Sequence, residues 1–255
     1  MDRPVERTER AGRWRLLDLG LVPYAEAWAL QTSVVEDVIE GRAPDTLILV
    51  EHPPTITLGA AADMGQVLVS TDTLAEKGVG LVLVNRGGNI TYHGPGQIVG
   101  YPIIHLSKYG EDVHLYVHRL EDAIIALLRV YGVSAGRREG FPGVWVEDRK
   151  IAARGIYVKR WVSMHGFSLN VQPDLDHFSL INPCGIVGCK VTSMSRELGR
   201  DIDQREVRKR LAESLGVVFG VRIEEEATSL IRGDSEQHDG VPMPNGLSTT
   251  QADGH

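Results

Sequence analysis

The fold is decided by two neighbouring stretches of sequence, GVWVEDRKIAARGIYV at residues 143–158 and VSMHGFSLNV at residues 162–171. Both are rich in β-branched and apolar residues, which is typical of strands. Charged residues interrupt the first stretch at Glu147, Asp148 and Arg149. We therefore expect a β-hairpin that turns at 147–149, so that Lys150 begins the returning strand, followed by a further strand over 162–171.

On either side of this hairpin the sequence predicts a mixture of strands and helices. Short apolar runs that end at glycine or proline indicate strands, and apolar residues at spacings of three and four indicate helices. We expect strands at residues 13–19, 46–51, 55–59, 80–85 and 221–226, and helices between Pro23 and Gly41, over 111–131, and after a capping box formed by Asp203 and Glu206. This order predicts one mixed α/β domain.

Length and composition narrow the class of protein. The chain has 255 residues, 42% hydrophobic and 24% charged, with a net charge of -7, which argues against a nucleic acid partner. No stretch approaches the roughly 18 apolar residues of a membrane span, and two cysteines do not make a secreted disulfide framework, so we expect a cytoplasmic protein. Residues 1–232 are expected to form a single catalytic domain. Residues 233–255, which contain no Lys or Arg, are expected to form a disordered tail.

A glycine-rich segment, RGGNITYHGPGQIVGYP at residues 86–102, is a candidate binding loop. Glycines at this density let a backbone approach a ligand closely, and the interspersed polar side chains can orient its polar end. The alternative is a hairpin with an irregular turn and a buried, hydrogen-bonded His93. Composition alone does not separate the two interpretations.

A cysteine in a tight turn, Cys184 between Pro183 and Gly185, is a candidate nucleophile. An unperturbed thiol has a pKa of about 8.5, so a nucleophilic cysteine needs a cationic neighbour. Lys150, His93 and His165 are the candidates for that neighbour, and the sequence alone does not bring any of them to Cys184. For Cys189 a structural role is expected.

Nucleotide and metal chemistry find no support in the sequence. The glycines at 94–100 do not have the spacing of the dinucleotide fingerprint, and no phosphate-binding G-x-x-x-x-G-K-[ST] sequence is present. His114 and His118 are four residues apart on a predicted helix, but the glutamate of the zinc motif is missing. We expect neither a metal nor another cofactor.

Four motifs together resemble the lipoyl(octanoyl)transferase family: RGGNITYHGPGQ at 86–97, KIAARG at 150–155, HGFSLNV at 165–171 and PCGI at 183–186, the last followed by VTSM. The resemblance covers about residues 15–220. It implies the α+β fold shared with biotin and lipoate protein ligases, a mixed β-sheet flanked by helices.

The resemblance also implies roles for individual residues. Cys184 matches the family's acyl-thioester nucleophile, and Lys150 matches the lysine that lowers the pKa of the thiol and handles protons. Arg154 stands where the family often has an apolar residue. The positions that match substrate-binding residues are Arg86, Gly87, Gly88, Asn89, Ile90, Thr91, Tyr92, His93, Ala153, Arg154, Gly155, His165, Gly166, Phe167 and Ser168.

The implied activity is an acyltransferase reaction that consumes no nucleotide. An octanoyl group would pass from octanoyl-acyl carrier protein, through a thioester on cysteine, to a lysine of lipoyl domains in 2-oxoacid dehydrogenases and the glycine cleavage H protein. This transfer would be the first step of endogenous protein lipoylation. Arg137, Arg138 and Arg149 are expected to form a basic patch for the acidic carrier protein.

Three alternatives remain at this point. A lipoate or biotin ligase of the same fold would need ATP and no cysteine nucleophile. A cysteine-dependent thioesterase would release free octanoate. A non-catalytic acyl-binding domain would form no adduct on Cys184.

Overall fold

The computed structural model describes residues 12–183 and 188–226. Within them it contains five α-helices: α1 (Tyr24–Ile39), α2 (Thr71–Glu76), α3 (Val113–Val130), α4 (Met194–Leu198) and α5 (Gln204–Phe219). The strands are β1 (Gly12–Leu21), β2 (Thr46–Glu51), β3 (Thr55–Leu58), β4 (Gly80–Leu83), β5 (Ile90–His93), β6 (Gln97–Ile103), β7 (Gly136–Arg138), β8 (Phe141–Val146), β9 (Arg149–Lys159), β10 (Val162–Asn170), β11 (Lys190–Val191) and β12 (Val221–Glu225). The predicted tail, 233–255, lies outside the described residues.

The strands form two sheets. The main sheet has the order β12-β1-β2-β6-β10-β9-β8-β7, with β11 paired to β9, and the small sheet has the order β4-β3-β5. In the main sheet β1 runs parallel to β2 and β12, whereas the neighbours from β2 to β7 are antiparallel. The expected mixed sheet with flanking helices is confirmed.

Alternating side chains direct the two faces of the main sheet to different layers. On β2, Leu47 and Leu49 join the core under α3 and α5, whereas Ile48 and Val50 join the core under α1. The small sheet lies on the α1 side, where β5 faces β9 and β10 across a cleft. Most of the candidate site residues therefore lie between the two sheets, whereas Arg154 and Phe167 reach into the α3–α5 layer.

Most predicted elements are observed within a few residues of their expected bounds. The predicted capping box is observed only at Asp203, whose carboxylate accepts a hydrogen bond from the Arg205 backbone N–H at 2.9 Å. The prediction is wrong for Glu206, whose carboxylate pairs with Arg210 at 2.6 Å and not with the Asp203 backbone. No helix in the described ranges is long and apolar enough to cross a membrane.

Candidate active site

The glycine-rich segment is neither a free loop nor a hairpin. Its residues 90–93 form β5, which pairs with β3 in the small sheet, while Gln97 begins β6 in the main sheet. The segment therefore crosses from one sheet to the other. Strand alternation turns Thr91 and His93 toward the main sheet and Ile90 and Tyr92 toward the core beneath the small sheet.

A cleft lies between β5 and the β9–β10 hairpin, and we call it the large cleft because it exceeds the cavity beside it; the space within it, open solvent included, is about 430 Å³. All of its lining residues belong to the set that the resemblance predicted. They are Arg86, Asn89, Ile90, Thr91, His93, Ala153, Arg154, Gly155, Gly166, Phe167 and Ser168. The segments that carry these residues therefore meet in one cleft, and their substrate-binding role stays a prediction.

Four predicted substrate-binding residues do not line the large cleft. Tyr92 packs beneath the small sheet, where its ring stacks on the His177 ring with 5.0 Å between the two ring centroids. His165 binds Asn85 instead, with 2.7 Å between the imidazole Nε2 and the amide Oδ1. Gly87 and Gly88 contribute backbone contacts behind the cleft wall: the Gly87 N–H donates to the Ile156 carbonyl, and the Gly88 carbonyl accepts from Ala61.

The close approach of the two sheets requires a glycine at position 155. A Cβ atom there would lie 2.7 Å from the Gly87 carbonyl oxygen and 3.1 Å from the Arg86 side chain. Any side chain at this position would push the small sheet away from β9. This contact explains why the motif ends in glycine.

A second, smaller cavity adjoins the large cleft, and we call it the small cavity; the space within it, open solvent included, is about 280 Å³. Its lining residues are Thr91, Lys150, Ala152, Ala153, Ser168, Asn170, Phe178, Pro183 and Val191. Three of them, Thr91, Ala153 and Ser168, also line the large cleft, and we call these three the junction. The two cavities are therefore adjoining parts of one site.

Lys150 reaches the small cavity because of an irregularity in β9. In the β8–β9 register Val144 faces Ala152 and Trp145 faces Lys150, so Ile151 is an extra residue. Such a β-bulge changes the face toward which a side chain next to it points. Ile151 and Ala152 both pack into the α3–α5 core, and Lys150 is thereby turned to the opposite face.

The Lys150 side chain is held in a buried position. The residue is 4% exposed, and its Nζ atom lies 4.7 Å from the centroid of the Trp145 ring. An ammonium over an indole face gains about 0.5–2 kcal/mol, the larger value applying when water is excluded. Trp145 is thus a site residue that the sequence did not single out.

Cys184 lies outside the described residues, so its predicted contact with Lys150 stays a prediction. Its neighbour in the chain, Pro183, is buried and lines the small cavity together with Lys150. The chain after the undescribed residues returns to the same place, since Val191 pairs with Lys150 and also lines this cavity. Both flanks of the cysteine segment therefore meet Lys150.

A chain of buried hydrogen bonds connects the two sheets beside the small cavity. His93 Nδ1 lies 2.7 Å from Gln97 Oε1, and the Gln97 amide nitrogen donates to Asn170 Oδ1 at 2.9 Å. The Asn170 amide nitrogen donates in turn to the Thr192 carbonyl at 3.0 Å. Thr192 N–H donates to the Lys150 carbonyl at 2.9 Å, which links the chain to the lysine.

Three buried histidines surround this polar layer, and burial favours their neutral form. Burial lowers the pKa of His52 to about 4 and that of His93 to about 3. Burial and then the charge of Arg86 lower the pKa of His165 to about 4. Neutral imidazoles rule out His93 and His165 as the cation that a thiolate at Cys184 would need at neutral pH.

Arg86 is the buried cation of the large cleft. The guanidinium donates to the Thr57 carbonyl at 2.8 Å and to the Thr57 hydroxyl at 2.9 Å, and it also donates to the Gly87 carbonyl at 3.2 Å. These bonds tie the start of the glycine-rich segment to β3. They give Arg86 a structural task besides any contact with a substrate.

The unusual Arg154 directs its guanidinium away from the small sheet. Its Nε atom donates to the Glu121 carboxylate on α3 at 2.8 Å, and Arg137 donates to the same buried carboxylate at 2.7 Å. The sheet register supports this placement, because Arg154 pairs with Phe167, which packs in the α3–α5 core.

The expected basic patch of three arginines is largely neutralised, which corrects that expectation. Arg137 pairs with Glu121 and Asp122, and Arg149 pairs with Glu147 and Glu197. Arg138 packs over the rings of Phe141 and Trp145 instead. Residues 12–183 and 188–226 contain no group of three or more His, Cys, Asp or Glu side chains that could hold a metal ion.

Comparison with known proteins gives a consistent result. Residues 23–216 match the family described as the lipoyl protein ligase A/B catalytic domain. The octanoyltransferase of Caldanaerobacter subterraneus subsp. tengcongensis is 48% identical over 214 residues, 84% of this chain and 93% of that protein. The octanoyltransferase of Syntrophotalea carbinolica is 48% identical over 194 residues, 76% of this chain and 89% of that protein.

A solved structure shares the fold at low identity. Protein Ta0514 of T. acidophilum, with bound lipoic acid, has a TM-score of 0.65 and 19% identity, covering 84% of this chain and 89% of that one. This likeness supports the architecture alone, whereas the family match and the two relatives extend to the sequence. The chain belongs to the lipoyl protein ligase A/B catalytic domain family and, within it, to the octanoyltransferases, the acyltransferases of protein lipoylation.

Proposed function

We propose that the chain takes an octanoyl group from the thioester of acyl carrier protein, holds it as a thioester on Cys184, and passes it to a lysine of a lipoyl domain. The observation that carries this proposal is the cavity that Lys150 shares with Pro183, the residue before Cys184. The cavity joins the large cleft at the junction, so a group on the thiol has a path for its alkyl chain.

The first half-reaction exchanges one thioester for another. The Cys184 thiolate attacks the carbonyl carbon, the bond from that carbon to the carrier's sulfur breaks, and the leaving thiolate takes a proton from the Lys150 ammonium. The exchange is nearly thermoneutral, so no ATP is needed. Lys150 ends this step as a neutral amine.

The second half-reaction restores the enzyme. The acceptor lysine attacks the octanoyl carbonyl carbon as a neutral amine, and the bond from that carbon to Cys184 breaks. The proton that the new amide nitrogen loses passes to Lys150. Cys184 leaves as a thiolate beside an ammonium, which is the state in which the cycle began, and the amide bond makes this half-reaction downhill.

The surroundings of Lys150 suit a group that carries a proton between the two steps. Its amine is buried beside an indole ring, in a region where water screens charges poorly. The three histidines nearby are neutral above about pH 6.5, so they do not compete for the proton. Lys150 is therefore the proton carrier in this proposal.

The large cleft would receive the alkyl chain against its glycine-lined wall at Gly155 and Gly166. Each buried methylene contributes about 0.8 kcal/mol, so acyl chains that differ by one carbon are separated only about fourfold. Discrimination between neighbouring chain lengths is modest for that reason.

The donor and acceptor proteins in this proposal are the carrier protein, lipoyl domains of 2-oxoacid dehydrogenases and the glycine cleavage H protein. Because two of the three arginines of the expected patch are paired with carboxylates, the docking surface for the acidic carrier is not assigned to them. The cytoplasmic location expected from the sequence stays a prediction.

The test mixes the protein with octanoyl carrier protein and a lipoyl domain without ATP and follows intact masses. We expect one octanoyl group on the protein and then on the acceptor lysine, loss of both in Cys184→Ala, and both retained in the matched control Cys189→Ala. Transfer that requires ATP and survives Cys184→Ala would identify a ligase instead. Release of free octanoate faster than transfer would identify a thioesterase.

A further inference from the structure

The proposed function and the two adjoining cavities together indicate where the carbonyl group of a bound thioester lies. If the proposed function is right, the sulfur occupies the small cavity beside Lys150 and Pro183, and the alkyl chain occupies the large cleft. The carbonyl carbon connects the two, so it lies at the junction. Of the three junction residues, Thr91 and Ser168 carry hydroxyl groups, and the third is Ala153.

Both junction residues are mostly buried, and their hydroxyls are unused by the described residues. Thr91 is 9% exposed and Ser168 is 5% exposed, and neither side chain makes a hydrogen bond in the part of the chain that the structure describes. Neither hydroxyl oxygen is among the fully enclosed polar atoms without a partner, so both stay accessible to a group that enters the void. The two hydroxyls face the same void from opposite sheets, Thr91 from β5 and Ser168 from β10.

Neighbouring hydroxyls on the same elements are all satisfied. Thr55 on β3 donates to the Pro53 carbonyl at 2.8 Å, and Thr57 receives the Arg86 guanidinium at 2.9 Å. Ser163 on β10 donates to the Pro102 carbonyl at 2.8 Å. The lack of partners is therefore a property of the junction and not of buried hydroxyls in this protein generally.

We propose that Thr91 and Ser168 donate hydrogen bonds to the acyl carbonyl oxygen and stabilise the negative charge that it acquires in both half-reactions. Each donor lies on a strand, so its position is fixed before the substrate arrives. Donors held in place where charge develops act most strongly in the transition state. The same two hydroxyls serve attack by Cys184 and attack by the acceptor amine, because both pass through the same carbonyl carbon.

The test compares Thr91→Val and Ser168→Ala with controls on the same elements, Thr55→Val in the small sheet and Ser163→Ala on β10. Octanoyl carrier protein is the donor, and acyl-enzyme formation is timed by intact mass over a range of donor concentrations up to saturation. We expect each junction variant to lower the rate about a hundredfold with KM for the donor unchanged. Thr91→Ser, which keeps the hydroxyl, retains most of the rate.

Thermal unfolding separates a chemical role from a structural one. Because their hydroxyls have no protein partner to lose, the junction variants keep the unfolding midpoint, whereas Thr55→Val and Ser163→Ala lower the midpoint and keep the rate. Wild-type rates in both junction variants, or a rate loss that the two controls share, would overturn the proposal. A wild-type protein that forms no acyl-enzyme would instead refute the proposed function.

Discussion

The two faces of the β9–β10 hairpin carry different kinds of side chain, although they belong to the same two strands. One face packs Ile151 and Leu169 into the core under α3 and α5, and neither residue lines the large cleft or the small cavity. The other presents Lys150, Ser168 and Asn170 to the small cavity. Both faces are buried, so exposure to water does not explain the difference.

The two faces have different roles: the α3–α5 face stabilises the fold, and the face toward the small sheet carries the polar side chains of the candidate site. The α3–α5 face is apolar and close-packed, and burial of such side chains stabilises the fold. The face toward the small sheet buries amides, hydroxyls, histidines and a lysine, which cost free energy unless they find partners. We therefore expect substitutions on the polar face to change activity and those on the apolar face to change stability.

The largest effect is expected on the polar face at Lys150. Lys150→Met removes the proton carrier and is expected to lower the rate of octanoyl transfer by about 10²–10⁴, the range for loss of a general acid or base. Rapid-quench intact mass spectrometry gives the rate. Arg149→Met is the matched control. Arg149 is next to Lys150 in the chain, and its substitution also removes a positive charge, but Arg149 pairs with Glu147 and Glu197 outside the cavity.

The Arg149→Met control can contradict the role of Lys150. If Arg149→Met slows transfer as much as Lys150→Met, the effect comes from the hairpin's stability or net charge. The polar face would then not be specialised for chemistry.

The next effect is expected on the apolar face at Leu169, which is fully buried. Leu169→Ala leaves a cavity under α3 and is expected to reduce the free energy of unfolding by about 2–5 kcal/mol. The folded fraction should keep its transfer rate, since Leu169 does not line either cavity. Urea unfolding measures the free energy of unfolding, and an assay at low temperature measures the transfer rate. A large loss of rate in the folded protein would contradict the division of roles between the two faces.

The sequence reveals the two faces only in part. Strands and long helices are predicted because alternation and helical spacing are visible locally, and β10 shows apolar residues alternating with Ser168 and Asn170. The pairing of β5 with β3 was not predicted, because the 90–93 strand is hidden among glycines and its partner is distant in the chain. Asn170 and Trp145 were missed for the same reason, since their partners come from other elements.

The assignment of site residues shows a similar limit. The resemblance located the segments that line the large cleft, yet it treated each segment as continuous. Strand alternation sends Tyr92 to the opposite side of β5 from Thr91 and His93. The bulge at Ile151, which decides the direction of Lys150, depends on the register with β8 and leaves no local sequence signal.

The smallest effect is the pH dependence that the polar face imposes on stability. Burial lowers the pKa of His52 from its ordinary value of 6.5 to about 4 in the folded protein, so the unfolded chain binds the proton more readily. Stability is therefore fully present above pH 6.5 and is lost as the pH falls toward 4, with a slope of about 1.4 kcal/mol per pH unit for each such histidine.

His52→Gln removes one of these protons. Urea unfolding between pH 4.5 and 6.5, roughly the window set by the two pKa values, should show a slope lower by about 1.4 kcal/mol per pH unit than that of the parent protein. His114→Gln, at an exposed site on α3, should leave the slope unchanged. An unchanged slope in His52→Gln would mean that His52 is not buried in its neutral form.

The central claim is that Lys150 keeps Cys184 ionised at the small cavity. The direct measurement is the rate of Cys184 alkylation by iodoacetamide against pH, in a Cys189→Ala background, with and without Lys150→Met. An ordinary thiol has a pKa of about 8.5. We expect alkylation of the parent protein to reach half its maximal rate well below that pH, and Lys150→Met to move this midpoint up toward the ordinary thiol pKa. Identical pH profiles for the two proteins would contradict the claim.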